Sequence, residues 1–155
     1  MEYCTLQTPV GVLSLFANGM FLTGLYFGDT TPDGNHTQTP VLRQAITQLQ
    51  EYFDKKRTIF TIPLQMEGTP FQKQVWQALQ TVPYGATATY GQIAAAIGNP
   101  KAYRAVGMAN NKNPISIIVP CHRIIGHNGS LVGYGGGMDA KRTLLQLEQS
   151  IASNA

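Results

Sequence analysis

The sequence has little charge: only 12% of its residues are Asp, Glu, Lys or Arg. Such a composition argues against a long solvated tail. It contains no apolar run of about 18 residues, so no membrane-spanning helix is expected. It has two cysteines, Cys4 and Cys121, widely separated. That is too few for a disulfide framework, and free thiols in a reducing compartment are the expectation. The three histidines, His36, His122 and His127, match no zinc spacing with those cysteines. No metal and no other cofactor is therefore expected. The opening Met1-Glu2-Tyr3-Cys4 lacks the basic-then-apolar order of a signal peptide. The chain reads as cytoplasmic, with no membrane contact.

The charge that is present is uneven. Residues 1–69 carry four basic and six acidic side chains, while residues 70–155 carry seven basic and two acidic ones. An acidic half beside a basic half points to an anionic partner for the second. The pattern divides the chain similarly, into a supporting α/β domain over residues 1–67 and a mostly helical domain over 68–155. In the first, Val12–Phe16 and Met20–Phe27 read as strands joined at Ala17-Asn18-Gly19. Val41–Phe53 has helical spacing, through Leu42, Ala45, Ile46, Leu49 and Phe53. Residues 63–69 (PLQMEGT) form a connector.

In the second domain, Thr69-Pro70 reads as a helix N-cap followed by proline at the first helical position. Phe71, Val75, Leu79 and Val82 form the apolar stripe of that helix, with Trp76 beside it. Two short helices follow, Tyr90–Ile97 and Lys101–Asn111, broken at Gly98-Asn99-Pro100, which is a helix-turn-helix pattern. On the second, Ala102, Ala105, Val106 and Ala109 share an apolar side, and Arg104, Gly107, Met108 and Asn111 the opposite one. Residues 126–137 (GHNGSLVGYGGG) hold six glycines. They suit a mobile loop or a ligand-lining wall. A last helix runs from about Met138 to Ile151, with Asp139 placed to suit its dipole.

The chemistry concentrates at SIIVPCHRIIG, residues 116–126, where Cys, His and Arg adjoin inside an apolar run. A cysteine attacks as thiolate, and a free thiol titrates at about 8.5. An adjacent imidazole can take the proton. Neighbouring side chains on an extended segment point apart, so the chain must bend there or a water must bridge Cys121 to His122. Pro120 restricts the entry to that bend. The last helix offers an orienting group for the base. Ala140, Leu144, Glu148 and Ile151 share a stripe, with Leu145 beside it, so Glu148 stands where an apolar residue belongs. It is either a surface glutamate at the stripe's edge or a buried carboxylate completing a Cys121–His122–Glu148 relay. Arg123 reads as an anchor for the loop.

PCHR with its apolar flanks resembles the active-site motif of the O6-alkylguanine-DNA alkyltransferases. NPKAYRAVG upstream, Asn113-Pro114, GYGGG downstream and a glutamate 27 residues after the cysteine do so too. The match runs from about Gly68 to Glu148 in the family's order and spacing. The resemblance implies a ribonuclease H-like N-terminal domain, made of a small antiparallel sheet with a helix, and a helix-turn-helix C-terminal domain. It implies a monomer that binds double-stranded DNA in the minor groove and flips an O6-alkylguanine out of the stack. On this resemblance Cys121 is the single-use alkyl acceptor, His122 a water-mediated base, Glu148 its partner and Tyr90 the proton donor to the leaving base. Asn113, Ile124, Tyr134, Gly135 and Gly136 line or brace the base pocket, and Gly136 leaves room for alkyl groups larger than methyl. Arg104 fills the gap in the stack, and Tyr103, Gly107, Met108 and Asn111 share its groove-facing surface. Tyr103 and Met108 stand where many members have smaller residues. O4-methylthymine is a further substrate under this reading. A cysteine hydrolase, a non-catalytic damage sensor and a plain transcription factor are the alternatives. Each leaves either the helix-turn-helix or the Cys-His-Glu pattern unused.

Overall fold

The computed structural model describes residues 1–32, 36–129 and 137–153. The chain divides into two compact units, Met1–Glu67 and Gly68–Ala155.

The first unit is a three-stranded antiparallel sheet with one helix. Strands β1 (Glu2–Thr8), β2 (Gly11–Asn18) and β3 (Phe21–Phe27) lie in that order. The β2–β3 turn closes on Gly19, whose φ of 65° favours a residue without a Cβ. Helix α1 (Pro40–Phe53) lays Val41, Leu42, Ala45, Leu49 and Tyr52 into the core against Leu13, Leu15, Leu22 and Leu25 of the sheet. β1 is absent from the sequence expectation. Only Cys4 of its seven residues is buried, because an edge strand has one covered face and one free edge. Its apolar alternation is correspondingly faint. Met20, expected to open β3, is instead 78% exposed in the turn.

The second unit is helical. Helix α2 (Pro70–Leu79) starts with a capping box: the Gln72 amide N–H donates to Thr69 Oγ1 at 3.1 Å, and the Thr69 N–H donates to Gln72 Oε1 at 3.0 Å. The two-residue strand β4 (Ala88–Thr89) leads straight into helix α3 (Tyr90–Ala96), capped the same way by Thr89 and Gln92. Gly98, at φ 80°, ends α3, and helix α4 (Tyr103–Asn111) packs back on it. Together they form the helix-turn-helix. A single 3₁₀ turn at Cys121–Arg123 precedes strand β5 (Ile124–Ile125), and helix α5 (Met138–Ser153) closes the unit. Among the described residues, no helix is long and apolar enough to cross a membrane.

The inner face of α4 differs from the expected one. Val106, Ala109 and Asn110 are buried, whereas Ala105 is exposed and Ala102 half-buried. The helix begins at Tyr103, two residues later than its spacing suggests. Its covered side follows Val106 at steps of three and four. A polar Asn110 takes the place that an apolar residue would hold.

Candidate active site

The segment before Cys121 enters the interior by tight turns. Ile115, Ile117 and Val119 are buried. Ile117 has a φ of 72°, and the Ile118 N–H donates to Ser116 O at 2.8 Å, a three-residue γ-turn of the strained, positive-φ kind. A β-branched residue is rare there. The next turn is its relaxed counterpart: Pro120 sits at φ −82°, ψ 63°, and the Cys121 N–H donates to Val119 O at 2.8 Å. Proline's fixed φ suits this position. Asn113 holds the loop shut, donating from Nδ2 to Val119 O at 2.7 Å and accepting the Ile115 N–H on Oδ1 at 3.0 Å. The 3₁₀ turn over Cys121–Arg123 is the bend required at this point, so Cys121 and His122 do not alternate as they would on a strand.

All three reactive residues are buried: Cys121 is 4% exposed, His122 0% and Arg123 7%. Glu148, on α5, is fully buried and serves two of them. His122 Nε2 lies 2.6 Å from Glu148 Oε2. A carboxylate can only accept, so Nε2 carries the proton. Nδ1 keeps the lone pair, and it is buried with no hydrogen-bond partner in the protein. Arg123 grips the same carboxylate side-on, with Nε to Oε1 at 2.8 Å and Nη2 to Oε2 at 3.1 Å. Its third nitrogen, Nη1, donates to Val82 O at 2.7 Å, and its guanidinium lies over the Tyr84 ring. Arg123 is therefore the counter-ion of Glu148 as well as an anchor to the segment after α2.

Burial pushes the His122 imidazole below its usual range, against the pull of Glu148. It stays neutral and able to accept. Burial acts to raise the Glu148 carboxyl, but hydrogen bonds and charge from His122 and Arg123 outweigh it and hold the group at about 2. With His122 neutral, the lasting charge at Glu148 is that of Arg123. Both shifts make acid destabilising. Between about 2 and the ordinary 4.5 of Glu148, the unfolded state binds the proton and the folded state does not. Below the ordinary 6.5 of His122, the unfolded imidazole likewise charges first. Unfolding free energy should thus be at its plateau above pH 6.5 and decline below it. It should steepen from pH 4.5 toward 2 as the folded Glu148 resists the proton that the unfolded one binds. Denaturant titrations across that range check this, and Glu148→Gln should flatten the acid limb.

Among the described residues of the second unit, two buried polar ones escape a reading of the sequence. Lys141 of α5 is fully buried and donates from Nζ to Ile124 O at 2.5 Å. Burial lowers its ammonium pKa, an effect that the nearby Cys121 opposes when its sulfur is ionised. Its spacing from Leu144, Leu145 and Glu148 puts it on the buried stripe of α5, a signal that could have found it. Asn110 donates from Nδ2 to Cys121 O at 3.4 Å. Its place four residues after Val106 is the corresponding clue.

The backbone brings Tyr90 to this site. β4 and β5 pair in parallel, Ala88 with Ile124 and Thr89 with Ile125. The first residue of α3 therefore sits beside the exit of the cysteine turn. Tyr90 is half-buried, and burial raises its phenol pKa, as does the nearby Cys121 when ionised. Ile124 is fully buried. On the outer side of α4, Tyr103, Arg104, Met108 and Asn111 are exposed, and the Arg104 guanidinium lies 5.9 Å from the Tyr103 ring centroid. Gly107 is half-buried. A Cβ there would rest 3.7 Å from the Tyr90 ring, an ordinary contact, so the protein's own packing does not demand glycine. Tyr134, Gly135 and Gly136 lie outside the described residues.

Fold and site together define a helix-turn-helix protein with a buried cysteine, its neighbouring histidine oriented by a carboxylate. Comparison with known proteins narrows that class. Residues 1–66 match the model of the 6-O-methylguanine DNA methyltransferase ribonuclease-like domain, and residues 70–150 that of the DNA binding domain of the same proteins. The methylated-DNA–protein-cysteine methyltransferase of Mycolicibacterium paratuberculosis is 49% identical, covering 96% of this chain and 93% of its own. The constitutive enzyme of that name from Bacillus subtilis is 45% identical, covering 95% and 94%. A solved structure of Mycobacterium tuberculosis OGT in complex with DNA superposes with a TM-score of 0.90 at 49% identity, over 97% of this chain and 94% of that one. The chain belongs to the 6-O-methylguanine DNA methyltransferase family.

Proposed function

We propose that this protein repairs DNA by direct reversal, moving the alkyl group of O6-alkylguanine in duplex DNA onto Cys121. The observation that carries the reading is Cys121 on a buried turn beside an imidazole whose tautomer Glu148 sets. Through a water, His122 Nδ1 takes the thiol proton. The sulfur then attacks the alkyl carbon in line, forming the S–C bond as the C–O6 bond breaks. The electron pair passes to the guanine, and the Tyr90 hydroxyl protonates its N3. One proton leaves the thiol and one reaches the base, so the step balances. The thioether is stable, and each chain reacts once. Ile124, buried directly after the cysteine turn, lines the base pocket. O4-methylthymine offers the same alkyl–oxygen bond and is a second substrate. Transfer should persist below pH 6.5, because His122 resists protonation.

The reading assigns α4 to the minor groove. That groove is about 6 Å wide when relaxed and a helix with side chains about 10–12 Å, so the groove must widen. Gly107 allows the closest approach. Tyr103, Met108 and Asn111 contact the walls, and Arg104 enters the gap left by the flipped base. Asn113 braces the cysteine segment against α4. Few base edges are legible in that groove, which suits repair at any sequence. The protein acts as a monomer in the cytoplasm, without metal or cofactor.

Intact mass after incubation with a duplex containing O6-methylguanine tests the function. One added methylene mass, on Cys121, at one equivalent, is expected. An unmodified protein, modification at Cys4, or repeated product release without a mass change would overturn it. The last outcome would indicate a hydrolase. Arg104→Ala should slow repair of the duplex about tenfold, since flipping costs a few kcal/mol that the arginine offsets. Its effect on Cys121 alkylation by a small reagent such as iodoacetamide should be nil. Quench-flow rates for the two reactions make the comparison.

A further inference from the structure

We propose that Asn110 is a positioning residue that couples the seating of α4 on the duplex to the placement of Cys121. The inference rests on Cys121 as acceptor and α4 as the DNA-facing helix. The last turn of α4 and the residues after it hold two carbonyls, one on each side of Pro120. Asn113 takes Val119 O at 2.7 Å, and Asn110 takes Cys121 O at 3.4 Å. The same turn is pinned from behind, where Trp76 Nε1 donates to Ala109 O at 2.8 Å. Asn110 thus joins the groove-facing helix directly to the peptide group of the nucleophile.

The side chain is costly where it stands. It is 1% exposed, and its Oδ1 is buried without a hydrogen-bond partner. An unsatisfied buried acceptor costs about 1–3 kcal/mol. Leucine matches it in branching and side-chain heavy-atom count, though it is bulkier, and would avoid that cost. A native structure that keeps such a group calls for a reason beyond packing. The bond to Cys121 O supplies one. At 3.4 Å it lies beyond the usual N–H···O range of about 2.7–3.2 Å, so a small advance of α4 toward the turn strengthens it. Catalytic hydrogen bonds that are long in the free protein tighten on substrate binding. Holding Cys121 O fixes the peptide plane, hence the direction of Cα–Cβ and the approach line of the sulfur. In-line displacement is sensitive to that line, and a misplacement of about 1 Å costs about a hundredfold.

Single-turnover rates test this for the full-length wild type and Asn110→Leu, with three reactants: saturating O6-methylguanine duplex, the free base O6-benzylguanine, and iodoacetamide. Duplex affinity is measured in the Cys121→Ser background, and thermal unfolding in all variants. Asn110→Leu should lower the saturated duplex rate by about tenfold to a hundredfold. Duplex affinity should stay within about twofold, the free-base rate should fall by less than about threefold, and melting should not drop. A general loosening would instead lower melting and change all three rates together, and that result would overturn the proposal. A duplex rate equal to wild type would do the same. If Asn110→Leu does not fold, Asn110→Ser, which cannot reach Cys121 O, decides by the same ratio of duplex to free-base rates. A wild type left unmodified by the duplex removes the alkyltransferase reading itself. A reactive wild type with an equally reactive Asn110→Leu removes only the role of Asn110.

Discussion

Glu148→Ala is expected to destabilise the C-terminal unit by about 3–5 kcal/mol and to abolish alkyl transfer. The carboxylate accepts two bonds from Arg123 and one from His122, all buried. Removing it strands a guanidinium that, among the described residues, keeps Val82 O and the Tyr84 face. Domains of this size hold about 5–15 kcal/mol in total, so such a loss consumes a large share. Glu148→Gln should cost less, because its amide oxygen still accepts, but it too removes the charge that Arg123 needs. Guanidinium chloride midpoints for the two variants give the order. A surface glutamate would change stability by about 0.5 kcal/mol or less. A midpoint shift of that size would place Glu148 outside the machinery.

Cys121→Ser should reduce transfer by about 10⁴-fold or more, the scale on which removing a nucleophile acts. It should leave duplex affinity unchanged. Serine is close to isosteric, so the turn and its hydrogen bonds through Val119 O and Cys121 O remain. What disappears is the thiol, whose acidity and polarisable sulfur make it the nucleophile. Gel-shift affinity alongside intact mass separates the two properties. Loss of duplex binding would show that the cysteine holds the structure rather than carries the chemistry. A serine variant that still gained mass would move the acceptor elsewhere.

What could be read from the sequence follows from where the physics is local. Thr69-Pro70 and Gly98-Asn99-Pro100 mark helix ends by themselves, because caps and breaks depend on a few adjacent residues. Glu148 was visible as a misplaced charge on an apolar stripe. β1 is not legible in the sequence because an edge strand with one buried residue has little alternation to show. Ala105 lies on the exposed side of α4, against its spacing, because a nine-residue helix leaves its phase to the point where it starts. The roles of Arg123, Asn110 and Lys141 depend on partners 25, 11 and 17 residues away. A buried polar side chain makes sense only with its partner in view, and no local rule supplies that partner.

The short parallel ladder between β4 and β5 bears on how such a site can change over generations. Peptide groups make that ladder, and every residue except proline brings the same N–H and C=O. The spacing between Tyr90 and Cys121 is therefore largely indifferent to which side chains occupy Ala88 and Ile125, whereas Thr89 is held by its capping bond to Gln92. Ile124 can vary only within the volume its buried position allows. Mutations at these positions can accordingly alter the surroundings of the cysteine turn while Tyr90 and the Cys121 backbone keep their separation. The ladder divides the site into a part open to drift and a part that drift does not reach.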